Sequence, residues 1–182
     1  MENYTSLTVN NSFTNSGSLY IDSYDNGGSS LTITGTLTNI STVDIGFTGT
    51  GVASHVTLGG LVNESGANFD IENYTVATVN GNVSNSGYLY VDAYDNGGSS
   101  LTITGTLTNG GTVTIGGLST EAASHVTLGG LVNDSGASFI VDGVTPNGDQ
   151  TTLTFTGAGF TANSGFFELY NVAPVTLACV QQ

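Results

Sequence analysis

The chain has 182 residues, of which none is Lys or Arg, 14 are Asp or Glu and two are His, so the formal net charge is -14. Only 8% of the residues are charged, against about a quarter in an average soluble protein. Without Lys or Arg, no side chain can displace counterions from nucleic acid, attract an anionic membrane or clamp phosphate through a guanidinium. We therefore expect none of these three classes of function.

The cysteine count and the hydropathy of the chain argue against a disulfide-stabilised protein and against a membrane-spanning one. Cys179 is the only cysteine, so an intramolecular disulfide is excluded, and its apolar neighbours predict a buried or capping thiol, not a nucleophile. No apolar run approaches the roughly 18 residues of a membrane span. Residues 1–4 lack the basic and apolar regions of a secretion signal, so we expect any such signal to lie outside this chain.

An internal repeat dominates the sequence. Residues 2–71 and 72–141 align without a gap at a period of 70, and most aligned positions are identical. Residues 142–182 diverge, with an insertion at 141–150 and a Phe-rich segment after Ser164. We predict a single domain over residues 1–182, with residues 142–182 forming a divergent coil and a C-terminal cap.

Each copy contains three shorter units, and each unit opens on a strand-like segment. After Leu31, apolar residues alternate with Thr at a period of two, which predicts a strand with one buried face. A second short strand is predicted at residues 42–45, and no window has useful helical periodicity. The openings are 24, 25, 21, 24, 25 and 27 residues apart, at Leu7, Leu31, Val56, Ala77, Leu101, Val126 and Leu153.

Units this short cannot enclose a core alone, but stacked units can. We therefore predict an all-β solenoid, a single parallel β-helix of about seven coils of 21–27 residues, with a three-coil super-repeat of 70 residues. At a strand spacing of about 4.8 Å, the rod would be roughly 30 to 35 Å long.

Stacking places one Asn of every unit in a column just after the first strand. We interpret this column as an amide ladder at a corner of the coil, because Asn tolerates left-handed backbone and stacked amides can hydrogen-bond along the axis. The alternative is N-glycosylation at Asn39 and Asn63, but four of the seven positions lack the sequon. The ladder comprises Asn15, Asn39, Asn63, Asn85, Asn109, Asn133 and Asn163.

A second column consists of Thr residues that face outward from the first strand. Such a column suits an ice-binding surface, although β-propensity alone also explains Thr on the solvent face of a strand. A flat ice-binding array would need a second matching column, and the next outward position is irregular. The Thr column comprises Thr8, Thr32, Thr57, Thr78, Thr102, Thr127 and Thr154.

The coil sequence LTITGTLTNGGTVTIGG at residues 101–117, the corner Asn and the acidic, Thr- and Gly-rich composition resemble a known group. They are similar to the right-handed parallel β-helix passengers of bacterial autotransporters and filamentous-haemagglutinin-type adhesins, over residues 7 to about 170. The resemblance implies right-handed coils and an extracellular rod at the bacterial cell surface for adhesion, aggregation or display. It implies neither an enzymatic active site nor a cofactor.

Four acidic residues form a weak calcium candidate, because hard cations prefer clusters of oxygen ligands. They are Asp22 and Asp25 in the first copy and Asp92 and Asp95 in the second. The alternative is turn chemistry, since Asp-Asn-Gly-Gly supplies positive φ without strain. His55 and His125 lie three coils apart, roughly 14 Å at the strand spacing, and cannot share a zinc ion.

Enzymatic alternatives depend on carboxylates. A polysaccharide hydrolase needs two carboxylates within about 5 to 10 Å of each other, and the candidates that follow second strands are Asp22, Glu72, Asp92 and Asp142. A polysaccharide lyase would call on Lys or Arg, which the chain lacks. Residues 157–162 match G-x-G-x-x-A, but the helix that a dinucleotide site requires is not predicted after them.

The expected partners are other copies of the chain and an external ligand. A solenoid exposes strand edges unless capped, and the first coil has little cap, so we expect end-to-end self-association. Tyr20 and Tyr90 are the exposed residues that we expect to contact a glycan or a matrix surface. Their alternative role is stacking on neighbouring coils.

Overall fold

The computed structural model describes residues 1–24, 27–46, 52–94, 97–117, 122–143 and 148–177. Within these ranges all regular structure is β-strand. No helix long and apolar enough to span a membrane occurs in them. Asp25, Asp95 and Cys179 lie outside the described residues.

The first sheet contains ten strands. Alternation of Leu, Ile or Val with Thr directs one side of each strand inward, and the branched and hydroxylated residues suit a pleated, half-buried surface. Its strands are β1 (Ser6–Val9), β2 (Phe13–Asn15), β4 (Ser30–Asn39), β6 (His55–Asn63), β8 (Val76–Val79), β9 (Val83–Asn85), β11 (Ser100–Asn109), β13 (His125–Asn133), β15 (Thr152–Asn163) and β17 (Thr176–Leu177).

The second sheet contains seven strands and closes the other side of the coil. All strand pairs in both sheets are parallel. The strands of the second sheet are β3 (Ser18–Ile21), β5 (Thr42–Ile45), β7 (Asn68–Ile71), β10 (Tyr88–Val91), β12 (Thr112–Ile115), β14 (Ser138–Asp142) and β16 (Phe166–Tyr170).

The strands stack in seven levels. We number the levels one to seven by the strands of the second sheet, from β3 to β16, so that the level above is the one nearer the C-terminus. Register pairs the predicted openings in order, beginning with Leu7 opposite Leu31 and Leu31 opposite Val56. The predicted all-β parallel solenoid is therefore confirmed, and its form is consistent with a single right-handed β-helix. The chain makes about six turns, where we predicted about seven coils, because only six full turns separate the first of seven levels from the last.

A glycine column forms one corner of the coil. The long strands β4 and β11 bend there, with register shifts between Ile33 and Thr36 and between Ile103 and Thr106. A Cβ added to Gly129 in this column would overlap the backbone oxygens of Thr104 and Gly105 in the level below. Successive levels approach so closely at this corner that only glycine fits.

Columns of Leu, Ile, Val and Phe fill the interior. Phe69, Phe139 and Phe155 are the largest side chains that are fully buried. At the C-terminal end, the ring of Phe139 stacks on that of Phe167, with centroids 5.4 Å apart. One continuous core thus runs along the axis, while polar side chains occupy the outer faces and the corners.

Candidate functional site: the polar columns and the tyrosine-carboxylate face

The predicted Asn positions form an unbroken chain of side-chain hydrogen bonds. In all but the last link, the Nδ2 of each Asn donates to the Oδ1 of the Asn one level above at 2.9 Å. The link from Asn133 to Asn163 measures 2.8 Å. The Nδ2 groups of the six Asn residues from Asn15 to Asn133 also donate to a backbone carbonyl, as Asn39 does to Asn68 O at 2.7 Å.

Asn39 and Asn63 are 0% and 1% exposed. A buried amide that donates and accepts along the axis cannot carry a glycan in the folded chain, so the ladder geometry favours the structural interpretation over glycosylation.

The Thr column lies in register through all seven levels. Thr8 pairs with Thr32, Thr32 with Thr57, and the pairing continues to Thr127 with Thr154. Thr8 is exposed, and the other six side chains are half-buried. The neighbouring outward column is mixed, because it contains Ser30, His55 and Val76 in successive levels.

Asp22 and Asp92 occupy a corner that requires a left-handed backbone, with φ of 51° at both. Both are 0% exposed. The carboxylate of Asp22 accepts hydrogen bonds of 2.7 Å from Ser29 N, Ser29 Oγ and Ser54 Oγ, which tie three successive levels together. Asp92 accepts equivalent bonds of 2.7 Å from Ser99 N and Ser124 Oγ.

These contacts make the two carboxylates internal hydrogen-bond acceptors. Burial raises the pKa of Asp92, and the hydrogen bonds from Ser124 and Ser99 act in the opposite direction. The other two members of the calcium candidate, Asp25 and Asp95, lie outside the described residues. Among the residues that the structure describes, no group of three His, Cys, Asp or Glu side chains could hold a metal ion.

Of the four carboxylates considered for hydrolysis, Asp22, Glu72 and Asp92 are fully buried, and Asp142 is half-buried. Glu72 is 0% exposed, and its Oε1 accepts a hydrogen bond of 3.1 Å from Ala93 N. Asp92 lies one level above, next to the paired residues Ile71 and Val91, and is buried as well. A sugar in solvent has no route to this pair.

The two histidines lie on the outside of the first sheet. His125 Nδ1 is 2.9 Å from Thr152 Oγ1 in the next level. His55 pairs in register with Ser30 and Val76. Both rings are exposed and three levels apart, so each belongs to a mixed outward column and neither forms part of a shared site.

The second sheet carries a different outward column. In β5, Val43 and Ile45 point inward, which turns Asp44 outward, and the same alternation in β7 turns Asp70 outward. Both aspartates are half-buried. Register stacks Tyr20, Asp44, Asp70 and Tyr90 in four successive levels. We call this column, with the adjoining Tyr24, Tyr88 and Tyr94, the tyrosine-carboxylate face.

The tyrosine rings of this face contact one another. Tyr20 and Tyr24 meet edge to face with centroids 6.0 Å apart, and Tyr90 and Tyr94 do so at 5.4 Å. Tyr88 stacks beside Tyr90 at 5.9 Å. Tyr20, Tyr24, Tyr88 and Tyr94 are exposed, from 36% for Tyr20 to 72% for Tyr24. Tyr90, which we expected to be exposed, is half-buried beneath its neighbours. The rings therefore form two aromatic clusters that reach solvent.

The carboxylates between the clusters have perturbed ionisation. Burial, and secondarily the charge of Glu2, raises the pKa of Asp44 to about 6. Burial, and secondarily the charge of Asp44, raises the pKa of Asp70 to about 7. Burial is also the largest cause that raises the pKa of Tyr90 to about 12, with its neighbours Tyr94 and Asp70 contributing.

Sequence reasoning identified Tyr20 and Tyr90 but missed Asp44 and Asp70. The signal was present, because aligning the second strands TVDI and NFDI of consecutive units places the two aspartates at the same position. The two aspartates were missed because the candidate carboxylates were taken from the turns and from positions after the second strands.

No known protein family, curated protein or solved structure matches the chain.

Proposed function

We propose that the protein is a non-enzymatic structural and adhesive rod that acts outside a bacterial cell, in the manner of autotransporter and haemagglutinin-type passengers. The observation that carries the proposal is the pair of tyrosine clusters on one long face, at equivalent positions of the two 70-residue copies. Tyr20 and Tyr24 belong to the first copy, and Tyr90 and Tyr94 to the second. Sites repeated along a stiff rod bind multivalent surfaces with higher avidity than one site alone.

The rigid interior supports this role. The Asn ladder and the buried Asp22 and Asp92 link consecutive levels by side-chain hydrogen bonds, in addition to the backbone ladders. Two open grooves lie on the described surface, one lined by Tyr74, His125 and Asp149 among others and the second by Thr, Gly, Val, Ser and Asn residues. Neither lining contains the two carboxylates that a glycoside hydrolase needs. A polysaccharide hydrolase is disfavoured because Glu72 and Asp92 face the interior.

Ice binding remains the second candidate because of the Thr column. Its register through seven levels favours a repeating surface, but the mixed column beside it lacks the second Thr row that a flat array needs. A thermal-hysteresis measurement separates the two functions: ice shaping by the purified protein would favour this alternative over adhesion.

We also propose end-to-end self-association through the first level. Leu7 and Phe13 are 44% and 38% exposed there, whereas their equivalents Leu31 and Leu37 are 2% and 0% exposed. Edge strands also offer unpaired backbone groups to a further chain. Sedimentation at increasing concentration is expected to reveal dimers or fibres, and a strict monomer would contradict this part of the proposal.

The adhesive role is tested with beads that carry the protein. We expect coated beads to attach to panels of immobilised glycans, matrix proteins and peptides, and the double variant Tyr20→Ser, Tyr90→Ser to attach several-fold less because it removes one ring from each cluster. Tyr74→Ser is the matched control, because Tyr74 is also exposed and its ring lies against Gly98, outside the two clusters. Attachment no better than that of bare beads, or equal loss in the control, would contradict the proposal.

A further inference from the structure

The tyrosine-carboxylate face combines two features that recognise cations. Aromatic rings attract ammonium and guanidinium groups through their negative faces, and carboxylates form strong charge-assisted hydrogen bonds with the same groups. Here Asp44 and Asp70 lie side by side between the clusters of Tyr20 and Tyr90. A cation placed over this column would meet rings and carboxylates together.

No Lys or Arg side chain neutralises the carboxylates of this face, because both residue types are absent from the sequence. The cation that lies nearby is the amino group of Met1, which donates to the backbone oxygen of Tyr20 at 2.6 Å, and Glu2 adds a further negative charge beside Asp44. Asp70 is faced by Asp44 from below and by Tyr90 from above. Within the described residues, Asp44 Oδ1 and Asp70 Oδ1 are shielded from solvent and accept no hydrogen bond.

A second copy of the chain has no Lys or Arg, and its amino terminus is already bonded to its own Tyr20 O. A row of basic side chains that matches the column must therefore come from a different molecule. Amino sugars and basic peptides both carry amines, but the weakly basic amine of an amino sugar loses its proton near the pH at which Asp70 ionises. Lys and Arg keep their charge throughout that range, and Arg also stacks on aromatic rings. The observations therefore favour a peptide.

The spacing of the column matches an extended peptide. Tyr20 and Tyr90 are three levels apart, roughly 14 Å at the strand spacing. Side chains on one face of an extended peptide recur about every 6.8 Å. Three successive same-side residues therefore cover the column, the outer two over the tyrosine clusters and the middle one between Asp44 and Asp70.

We propose that the tyrosine-carboxylate face binds an extended, arginine- or lysine-rich segment of a partner protein, with basic residues at alternate positions. This inference rests on the proposed adhesive function, since it names the chemistry of one adhesion partner.

The test titrates the full chain with the peptide Arg-Ser-Arg-Ser-Arg, capped at both ends, and with the same peptide containing neutral citrulline in place of Arg. We expect the citrulline peptide to bind at least about tenfold more weakly, because it retains shape and hydrogen bonding but lacks charge. Equal affinity for the two peptides would overturn the proposal.

Variants distinguish peptide binding at the tyrosine-carboxylate face from general attraction of the peptide to an acidic chain. Asp44→Asn with Asp70→Asn is expected to weaken binding of the Arg peptide about tenfold. The control pair Glu64→Gln with Asp134→Asn removes two exposed carboxylates elsewhere and is expected to change affinity less than about twofold. Equal losses in the two pairs would show diffuse attraction to a charge of -14 and would overturn the site. Urea unfolding of every variant checks that the fold is retained.

Two further readouts complete the test. Calorimetry at pH 6.5 in buffers of different ionisation enthalpy is expected to detect proton release, because a bound cation favours the ionised forms of Asp44 and Asp70. Absence of proton release would contradict peptide binding at this face.

A glucosamine hexamer that binds more tightly than the Arg peptide would assign the face to a cationic glycan instead. Bead attachment that persists without peptide binding would refute this inference and leave the adhesive function standing.

Discussion

At the scale of single residues, each interior Asn of the ladder provides hydrogen-bond partners for the neighbouring Asn side chains and finds partners for its own amide group there. The Oδ1 of Asn85 accepts from Asn63, and its Nδ2 donates to Asn109 Oδ1 and to Thr112 O. Because the site is 1% exposed, water cannot replace these partners. Removing one amide therefore leaves buried polar groups unsatisfied in two adjacent levels.

We predict that Asn85→Ala lowers the free energy of unfolding by about 3 kcal/mol, since each buried polar group left without a partner costs about 1 to 3 kcal/mol. Urea denaturation monitored by circular dichroism measures the change. The control is Asn163→Ala at the exposed end of the ladder, where only the bond from Asn133 is lost and about 1 kcal/mol is expected. Equal effects at the two positions would contradict a cooperative buried ladder.

At the scale of the strand, level four differs from its neighbours. Its first-sheet segment is divided into β8 and β9, and it carries Ala77 and Val83 where the level above carries Leu101 and Leu107. A small apolar cavity follows from these shorter side chains, and Phe69 and Leu89 also line it. The cavity shows that the interior of this level is incompletely filled.

We predict that Ala77→Val raises the free energy of unfolding by about 1 kcal/mol, because two added methyl groups fill the cavity and Val suits a strand. The reverse change at an equivalent, well-packed position, Val126→Ala, is expected to cost about 2 kcal/mol. Thermal and urea denaturation report both values. A loss of stability in Ala77→Val would show that the cavity cannot accept the added volume.

The strands were predictable from the sequence because their signals are local and repeated. Alternation located the openings, and the recurring Asn located the corner. The burial of Asp22 was not predictable, because its motif resembles an ordinary turn and its partner Ser54 comes from two levels above. Tyr20 and Tyr90 of the tyrosine-carboxylate face were predicted as contact residues, but Asp44 and Asp70 were missed although the aligned second strands place them at one position. Their half-buried environment was not predictable, because it depends on packing between neighbouring levels.

At the scale of the whole molecule, burial of carboxylates that no Lys or Arg neutralises reverses the usual pH dependence of stability. The pKa values of Asp44 and Asp70 rise from 3.8 to about 6 and about 7 on folding, and that of Asp92 rises too. Between these values and 3.8 the folded chain binds more protons than the unfolded chain, so stability increases as pH falls.

We predict that the urea midpoint rises as pH is lowered from 8 to 5. The double variant Asp44→Asn, Asp70→Asn is expected to reduce this slope, because it removes two of the groups that gain protons on folding. Glu64→Gln with Asp134→Asn should retain it. Denaturation curves at four pH values test the prediction, and a midpoint that falls on acidification of the unaltered protein would contradict it.

The equivalence of the two 70-residue copies has a consequence for how such a chain changes in evolution. Strand β7, which ends the first copy, pairs with β10 of the second copy in the same parallel register that joins levels inside a copy. Duplication or deletion of one copy by recombination therefore joins matching surfaces and adds or removes three levels, roughly 14 Å of rod. The reach of the protein can change in fixed steps while each existing level keeps its neighbours.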